Sequence, residues 1–442
     1  MSNPRLMISA IKSGAGKTTI TCGLLRTLQK MNLNPSAFKC GPDYIDPLFH
    51  STVIGAKGCN LDLFFTEKEV CKQLFCEYAE GSDIAIVEGV MGFYDGLSGS
   101  SMQASAQDVS NTLDIPVVLA IDVKGAALTI AAIVKGLQEF APNHIKGVIL
   151  NNCSKMMYPM YQSIIEEHCN VKVYGYVPHN VSYAIESRHL GLVTADEITD
   201  LEQKLDLLAD TMLESLDLEG LLFLARDTKE ISYTQSQVEK VTDKSPRLAI
   251  ARDRAFCFYY RENLDLLQKL GVELVEFSPL EDACLPDNIQ GIYIGGGYPE
   301  LYLEKLSSNH TMKASIKEAI AAGVVTFAEC GGFMYLQEQI DGYDMVGAIS
   351  GNSENIHKLS RFGYCTLSAK QDTVLCAKGE EIRAHEFHYY DSTNNGDSFF
   401  VSKPKSKRSW EASIATDTLL AGYPHLYFYA NKNFAKHFVG KM

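Results

Sequence analysis

Short apolar runs rich in β-branched and aromatic residues recur along the chain, and the stretches between them carry their apolar residues at helical spacing. The first series comprises residues 5–11 (RLMISAI), 36–40 (SAFKC), 83–89 (DIAIVEG), 115–123 (IPVVLAIDV), 145–152 (IKGVILNN) and 171–178 (VKVYGYVP). A second series comprises residues 247–253 (RLAIARD), 272–278 (VELVEFS), 291–297 (GIYIGGG) and 324–330 (VVTFAEC). Runs this short and continuous read as buried strands, and their alternation with helices predicts mainly parallel sheets. Between the two series, residues 227–247 (DTKEISYTQSQVEKVTDKSPR) are polar and poor in large aliphatics. The expected organisation is α/β with two domains, residues 1–230 and 247–442, joined by a linker over 231–246. A length of 442 residues suits that number.

The first strand is followed by Lys12-Ser13-Gly14-Ala15-Gly16-Lys17-Thr18-Thr19, and a helix is expected from about Lys17. The P-loop pattern GxxxxGK(S/T) is met at its end, but Ile11 stands where its first glycine belongs. What remains resembles the deviant P-loop with a second lysine, Lys12, near its front. Gly14 and Gly16 let backbone N–H groups wrap phosphate oxygens. Lys17 would meet the β/γ-phosphates, and the Thr18 hydroxyl would meet Mg²⁺. Acidic residues follow the next strands: Asp43 and Asp46 in KCGPDYIDPLFH, then Glu88 and Asp95 in VEGVMGFYDG. Carboxylates at the carboxyl ends of parallel strands lie where such sheets bind ligands, so Asp43 and Glu88 are expected to share Mg²⁺ with Thr18. Asp46 and Asp95 are expected near the metal or the carboxylate to be activated. Asn151 and Asn152 sit where this fold often reads adenine, although a loop-turn role suits them equally.

The stretch GVVTFAECGGFMYLQE, residues 323–338, sets Cys330 between a buried strand and an expected helix over FMYLQEQI. Gly331 and Gly332 permit a tight elbow there. A thiol at the amino end of a helix is expected to ionise more easily, and the same N–H groups can hold an oxyanion. Cys330 thus takes the position of a nucleophile.

Composition narrows the partners. Apolar residues make up 46 % and charged residues 21 %, an ordinary soluble balance. A formal net charge of −14 argues against nonspecific binding to nucleic acid or to anionic membranes. No run has membrane-spanning length, and MSNPRLMISAIKSG does not read as a secretory signal. The 12 cysteines contain no C-x-x-C pair, so free thiols in the cytoplasm are expected.

With these residues on the page, the chain resembles the cobyrinate/cobyrate glutamine amidotransferase family of corrinoid biosynthesis. The resemblance rests on SGAGKTT, KCGPDYIDPLFH, VEGVMGFYDG, AIESRHLGLVTADE, ARDRAFCFYYRENLDLL, GIYIGGGYPELY, FAECGGFMYL, RAHEFHYY and the late HLYF. It implies a dethiobiotin-synthetase-like ATPase domain followed by a class I-like glutaminase domain. It implies amidation of the a and c acetate side chains of cobyrinate, with ATP and glutamine as co-substrates. Sister enzymes acting on nickel-sirohydrochlorin or hydrogenobyrinate remain alternatives. The family's activating histidine maps to His425, where Tyr427 replaces a second histidine and no acid follows two residues later. A Cys330–His425 dyad is therefore expected, with the imidazole held by another acid or a carbonyl. The oxyanion would lie between Gly331 N–H and an N–H of Gly296 or Gly297. His385-Glu386-Phe387-His388 is one residue too short for the H-E-x-x-H zinc helix and is expected to shape a pocket. For a flat tetrapyrrole polycarboxylate, Arg188, His189, Tyr259 and Arg261 are the expected contacts. A homodimer is left open.

Overall fold

A computed structural model of the chain describes residues 3–183 and 195–442, so Arg188 and His189 lie outside the described residues. The chain divides into two compact units, Met1–Ser236 and Gln237–Met442.

The first unit is built on seven strands: β1 (Arg5–Ala10), β2 (Pro35–Cys40), β3 (Asn60–Leu61), β4 (Ile84–Glu88), β5 (Val117–Asp122), β6 (Ile145–Asn151) and β7 (Lys172–Val177). They pair in the order β3-β2-β4-β1-β5-β6-β7, all parallel. The order reverses around β1, so the carboxyl ends of β1, β2 and β4 open onto the crevice where such sheets bind ligands. Helix Lys17–Lys30 packs Ile20, Leu24 and Leu28 into a core shared with Leu205, Leu208 and Met212 of helix Ala195–Ser215. Gly23 permits that approach, since a Cβ there would lie 2.6 Å from Met212 Cε. The polar boundary stretch starts on this unit. The guanidinium of Arg5, wholly buried, donates to Lys229 O (2.7 Å) and Leu113 O (2.9 Å). Thr234 N and Ser236 N donate to Glu69 and Gln73.

In the second unit, β8 (Arg247–Ala251), β9 (Glu273–Phe277), β10 (Gly291–Ile294) and β11 (Val325–Glu329) are the apolar runs of the second series. Beyond them come β12 (Gln339–Ile340), β13 (Tyr343–Asp344), β14 (Asn352–Ala369), β15 (Glu381–Ser392), β16 (Phe399–Ser402), β17 (Ser409–Ala412), β18 (Ile414–Ala415), β19 (Leu419–Gly422) and β20 (His425–Leu426). One sheet runs β18-β19-β11-β10-β8-β9, parallel except for the β18 edge. The other runs β13-β12-β14-β15-β20, with β16 and β17 added beside β14, and is almost wholly antiparallel. This second sheet departs from the expectation of mainly parallel sheets. Its long strands alternate buried and exposed residues only loosely, so their pattern does not mark them out. The expected helix over FMYLQEQI also ends early. Helix Gly331–Leu336 stops at Leu336, and Gln339–Ile340 is strand β12.

Among the described residues, no helix is long and apolar enough to cross a membrane.

Candidate functional site

In the first unit, the loop between β1 and helix Lys17–Lys30 turns on Gly14 and Gly16, at φ +73° and +95°. Gly16 has a second constraint. A Cβ there would stand 2.1 Å from Asn151 Nδ2, which donates to Ala15 O at 3.0 Å. Asn151 thus braces the loop, and Asn152, at φ +55°, makes the turn after β6. Lys12 is exposed, and Thr19 lies half-buried in the first helical turn.

Lys17, buried, donates to Lys12 O (3.0 Å) and Met91 O (2.6 Å). Burial and the nearby Lys39 lower its pKa to about 8, against the pull of Glu88, Asp46 and Asp95. The Thr18 hydroxyl donates to Glu88 Oε1 at 2.7 Å. Glu88, the last residue of β4, also accepts from Lys39 Nζ at 2.7 Å, and Lys39 is ion-paired with Asp46. His50 Nε2 stands 3.4 Å from Glu88 Oε2. Burial pushes the Glu88 carboxyl up, but Lys39 and His50 outweigh it and hold the group well below the usual carboxylate range. Asp46 moves the other way, raised by burial and by Glu88.

The structure thus brings Thr18 and Glu88 together and gives the remaining expected acids other partners. Asp43 Oδ1 accepts from Ile45 N (2.8 Å) at the start of helix Ile45–Thr52. Asp95 Oδ2 accepts from Gly92 N (2.9 Å) and shapes the loop carrying Met91. Lys39 and His50 were not singled out from the sequence. A lysine inside an apolar strand was the available signal, because a buried ammonium must be paired.

In the second unit, Cys330 follows β11 and heads helix Gly331–Leu336 at φ +48°, ψ −104°. Its N–H donates to Gly422 O at 2.8 Å, and Gly332 N donates to Gly295 O at 3.0 Å. These bonds lock the elbow against the loops after β19 and β10. Three glycines leave room around it. A Cβ on Gly331 would lie 3.1 Å from Gly297 N, and one on Gly296 would lie 2.4 Å from His425 Cε1. Gly297 is at φ +157°, where a Cβ would strike Ala255 O at 2.0 Å. Gly296, Gly297, Gly331 and His425 are thereby gathered at the carboxyl edge of the parallel sheet.

The expectation of an easily ionised thiol is corrected. Burial pushes the Cys330 thiol far up, reinforced by Glu300, Glu329 and Glu386, and the Gly331 N–H bond to sulfur offsets only part of this. The short helix adds little dipole, and desolvation of the charged form wins. His425 is the complement. Buried in β20 opposite His385, it is lowered to about 3 by burial and by His388, and so stays a neutral imidazole. Glu329 sets a buried carboxyl beside the imidazole. Its Oε2 lies 3.9 Å from His425 Nδ1 and accepts from Tyr293 Oη at 2.7 Å, while Oε1 accepts from Leu426 N at 2.7 Å. It comes from the residue before the nucleophile, where only its buried place at the end of a β-branched and aromatic strand could have drawn attention to it.

The expected tetrapyrrole contacts divide. Tyr259 donates to Ala251 O and accepts from Gly295 N (2.9 Å), so its hydroxyl holds the glycine loop in place. Arg261 begins helix Arg261–Lys269 half-exposed, 3.7 Å from Asp265. Residues His385–His388 lie on strand β15.

Comparison with known proteins follows the same division. Residues 6–193 match the CobQ/CobB/MinD/ParA nucleotide binding domain, and residues 247–433 match the CobB/CobQ-like glutamine amidotransferase domain. The cobyrinate a,c-diamide synthase of Clostridium tetani is 39 % identical over 99 % of this chain and 99 % of its own. That of Listeria innocua is 38 % identical over 97 % of each chain. That of Salmonella typhimurium is 38 % identical over 98 % of this chain and 97 % of its own. With both domains matched in order and this identity held from end to end, the chain belongs to the cobyrinate a,c-diamide synthase family of glutamine amidotransferases.

Proposed function

We propose that this chain converts the a and c acetate carboxylates of cobyrinate to amides in cobalamin biosynthesis, using ATP and glutamine for each. The observation that carries this reading is the presence, in one chain, of a Lys17–Thr18 cradle set on Glu88 and of Cys330 at a left-handed elbow packed against the glycine loop that adjoins His425.

A carboxylate is a poor electrophile because it is anionic and oxide does not leave. Transfer of the γ-phosphoryl group of ATP to a carboxylate oxygen gives an acyl phosphate, whose phosphate leaves readily. In the proposed reaction, Lys17 exchanges its two carbonyl partners for phosphate oxygens, and backbone N–H groups of Gly14–Lys17 hold the others. Mg²⁺ would neutralise phosphate charge there. The residues fit it, since the Thr18 hydroxyl adjoins one oxygen of Glu88 and the other, Oε2, is buried without a hydrogen bond. Asp46 and Asp95 flank this crevice as candidates to orient the acceptor.

In the second unit, neutral His425 takes the Cys330 proton as sulfur attacks the γ-carboxamide carbon of glutamine. The oxyanion is received by Gly331 N–H and by an N–H of Gly296 or Gly297. Collapse expels ammonia, which takes the proton back from His425, and leaves a γ-glutamyl thioester. Water, deprotonated by the same imidazole, then releases glutamate. Ammonia attacks the acyl phosphate, displacing phosphate and forming the amide. We place the enzyme in the cytoplasm, where its cysteines, all free thiols, stay reduced.

The test is incubation with ATP, Mg²⁺, amide-¹⁵N-glutamine and cobyrinate, with hydrogenobyrinate and nickel-sirohydrochlorin as parallel acceptors. Two ¹⁵N amides on cobyrinate are expected. Labelling confined to another acceptor would overturn the substrate, and no labelling of any would overturn the reaction.

A further inference from the structure

The antiparallel sheet of the second unit has an outer face that the reaction above does not use. Along β15, Ile382, Ala384, Glu386, His388 and Tyr390 are buried on one side, and strand alternation puts His385, Phe387 and Tyr389 on the other. Phe362 and Tyr364 of β14 share that outer side, because Tyr364 pairs with His385. The five rings make a connected ladder, edge to face throughout. Phe362 stands 5.9 Å from His385 and 5.5 Å from Phe387, Tyr364 stands 5.8 Å from His385, and Phe387 stands 6.0 Å from Tyr389. Phe362 and Tyr389 are 51 % and 41 % exposed. Contiguous exposed apolar surface of this kind marks a binding face. At the buried end of the ladder, His385 Nδ1 has no hydrogen-bond partner.

A basic turn borders this face. Residues 403–408 (KPKSKR), between β16 and β17, carry four cations and no acid, in a chain with 54 acidic and 40 basic residues. Lys403 donates to Phe362 O, which fixes the turn beside the ladder. Lys403 and Arg408 sit over the ring of Trp410 at 5.7 and 6.0 Å, and Lys405, Lys407 and Arg408 are exposed. Glu411, on β17, is already ion-paired with Lys370. Another cation comes from β14 itself. Asn355 pairs with Tyr390 and Ser360 with His388, so five steps along β14 face two along β15, and three extra residues bulge out. Lys358 and Leu359 are exposed on that bulge, and bulges re-aim side chains beside functional sites.

We propose that this outer face binds the tetrapyrrole acceptor, with its ring on the ladder from Phe362 to Tyr389 and its carboxylates drawn to the 403–408 turn. The inference rests on the reading of the chain as an amidotransferase of a tetrapyrrole polycarboxylate, and adds where that acceptor is held. A flat apolar body gains from aromatic contact, and a carboxylate rim gains from lysines and Arg408. Other occupants are disfavoured. A second copy meeting this patch with itself would bring two basic turns together, and nucleic acid would face a net charge of −14. The placement also serves the chemistry. Ammonia is freed at His425, which β20 sets beside His385, so the acceptor lies next to its nitrogen source. One of its polar groups supplies the partner that His385 Nδ1 lacks.

The test is titration of the full chain with cobyrinate, read by quenching of its single tryptophan, at low and at physiological salt, with hydrogenobyrinate and nickel-sirohydrochlorin in parallel. In a variant combining Lys405→Ala, Lys407→Ala and Arg408→Ala, Kd should rise on the order of 10-fold at low salt, and by less at physiological salt. Phe362→Ala and Tyr389→Ala should each raise it on the order of 10-fold at both. The Kd for ATP should hold in all of them, which separates loss of the subsite from loss of the fold. The wild type supplies a second readout. Cobyrinate should protect Lys405 and Lys407 from acetylation by acetic anhydride and leave exposed Lys146 of the first unit as reactive as before. An unchanged Kd in every variant, or equal acetylation of Lys405 and Lys407 with and without cobyrinate, would overturn the subsite and leave the amidotransferase reading intact. A wild type that binds none of the three tetrapyrroles would overturn both.

Discussion

The carboxylate of Glu329 stands 3.9 Å from Nδ1 of His425, held there by the Tyr293 hydroxyl and the Leu426 N–H. One residue thus ends the strand that delivers the nucleophile, and the next is the nucleophile itself. Burial pushes the Glu329 carboxyl up to about 8 against those two donors. Below that pH the folded chain holds a proton there that the unfolded chain has released above the ordinary carboxylate range. Stability from this group is therefore full below the unfolded pKa and is lost as pH rises through about 8. Catalysis has the opposite sign, because the ionised form favours the imidazolium made when His425 takes the thiol proton. Glutamate release is predicted to rise with pH through about 8. In Glu329→Gln that rise should vanish, the rate above it should fall by on the order of 10–100-fold, and the stability loss should flatten. Rate profiles and thermal unfolding between pH 5.5 and 9 decide it. A variant that keeps the wild-type pH dependence would remove Glu329 from this role.

The thiol of Cys330 is predicted to be unreactive in the free protein. With its pKa driven up by burial, almost no thiolate exists near neutrality, and His425 deprotonates sulfur only as substrate is attacked. Alkylation of Cys330 by iodoacetamide, followed by peptide mass spectrometry, should be slow at pH 7 and keep rising roughly tenfold per pH unit through pH 9. A plateau below pH 8 would indicate a thiolate already formed.

Nucleotide binding is predicted to take up protons near pH 8. Lys17 is lowered to about 8 in the free chain, and phosphate oxygens favour its charged form. The Kd for ATP should therefore weaken as pH rises from 7 to 9, and the binding enthalpy at pH 8 should vary with buffer ionisation enthalpy. No dependence on buffer would place the phosphates away from this ammonium.

Two alanines are predicted to separate the centres. In Gly296→Ala the new methyl would meet His425 Cε1 at 2.4 Å, so glutamate release should drop by on the order of 10²-fold while ATP binding persists. In Gly16→Ala the strain of φ +95° is added to a 2.1 Å approach to Asn151, and ATP binding should be lost while glutamate release persists. Titration of ATP and a glutamate assay on both proteins read the pattern. A crossed result would contradict the assignment of the two sites.

Much of this arrangement is legible in the sequence because parallel strands and their following loops are contiguous. Glu88 and Cys330 lie at the carboxyl ends of recognisable apolar runs, and Lys17 and Thr18 follow the loop after another, which is where the parallel sheets put them. The remainder depends on long-range register. His425 meets Glu329 because β19 runs beside β11 and β20 beside β15. Antiparallel pairing of long, mixed-polarity strands leaves no local periodic mark of which residues will face each other. Lys39 and His50 were hidden for a different reason. Both face the buried Glu88, and although a lysine inside an apolar strand signals some buried partner, sequence spacing does not say which one.

The most direct measurement is the nitrogen dependence of Cys330→Ala. With ATP, Mg²⁺ and cobyrinate, this protein should form no amide from glutamine and should form it from added ammonium salts at a rate near the wild type's with the same source. Loss of amide formation with both sources, or retained use of glutamine, would contradict the division between a synthetase unit and a glutaminase unit.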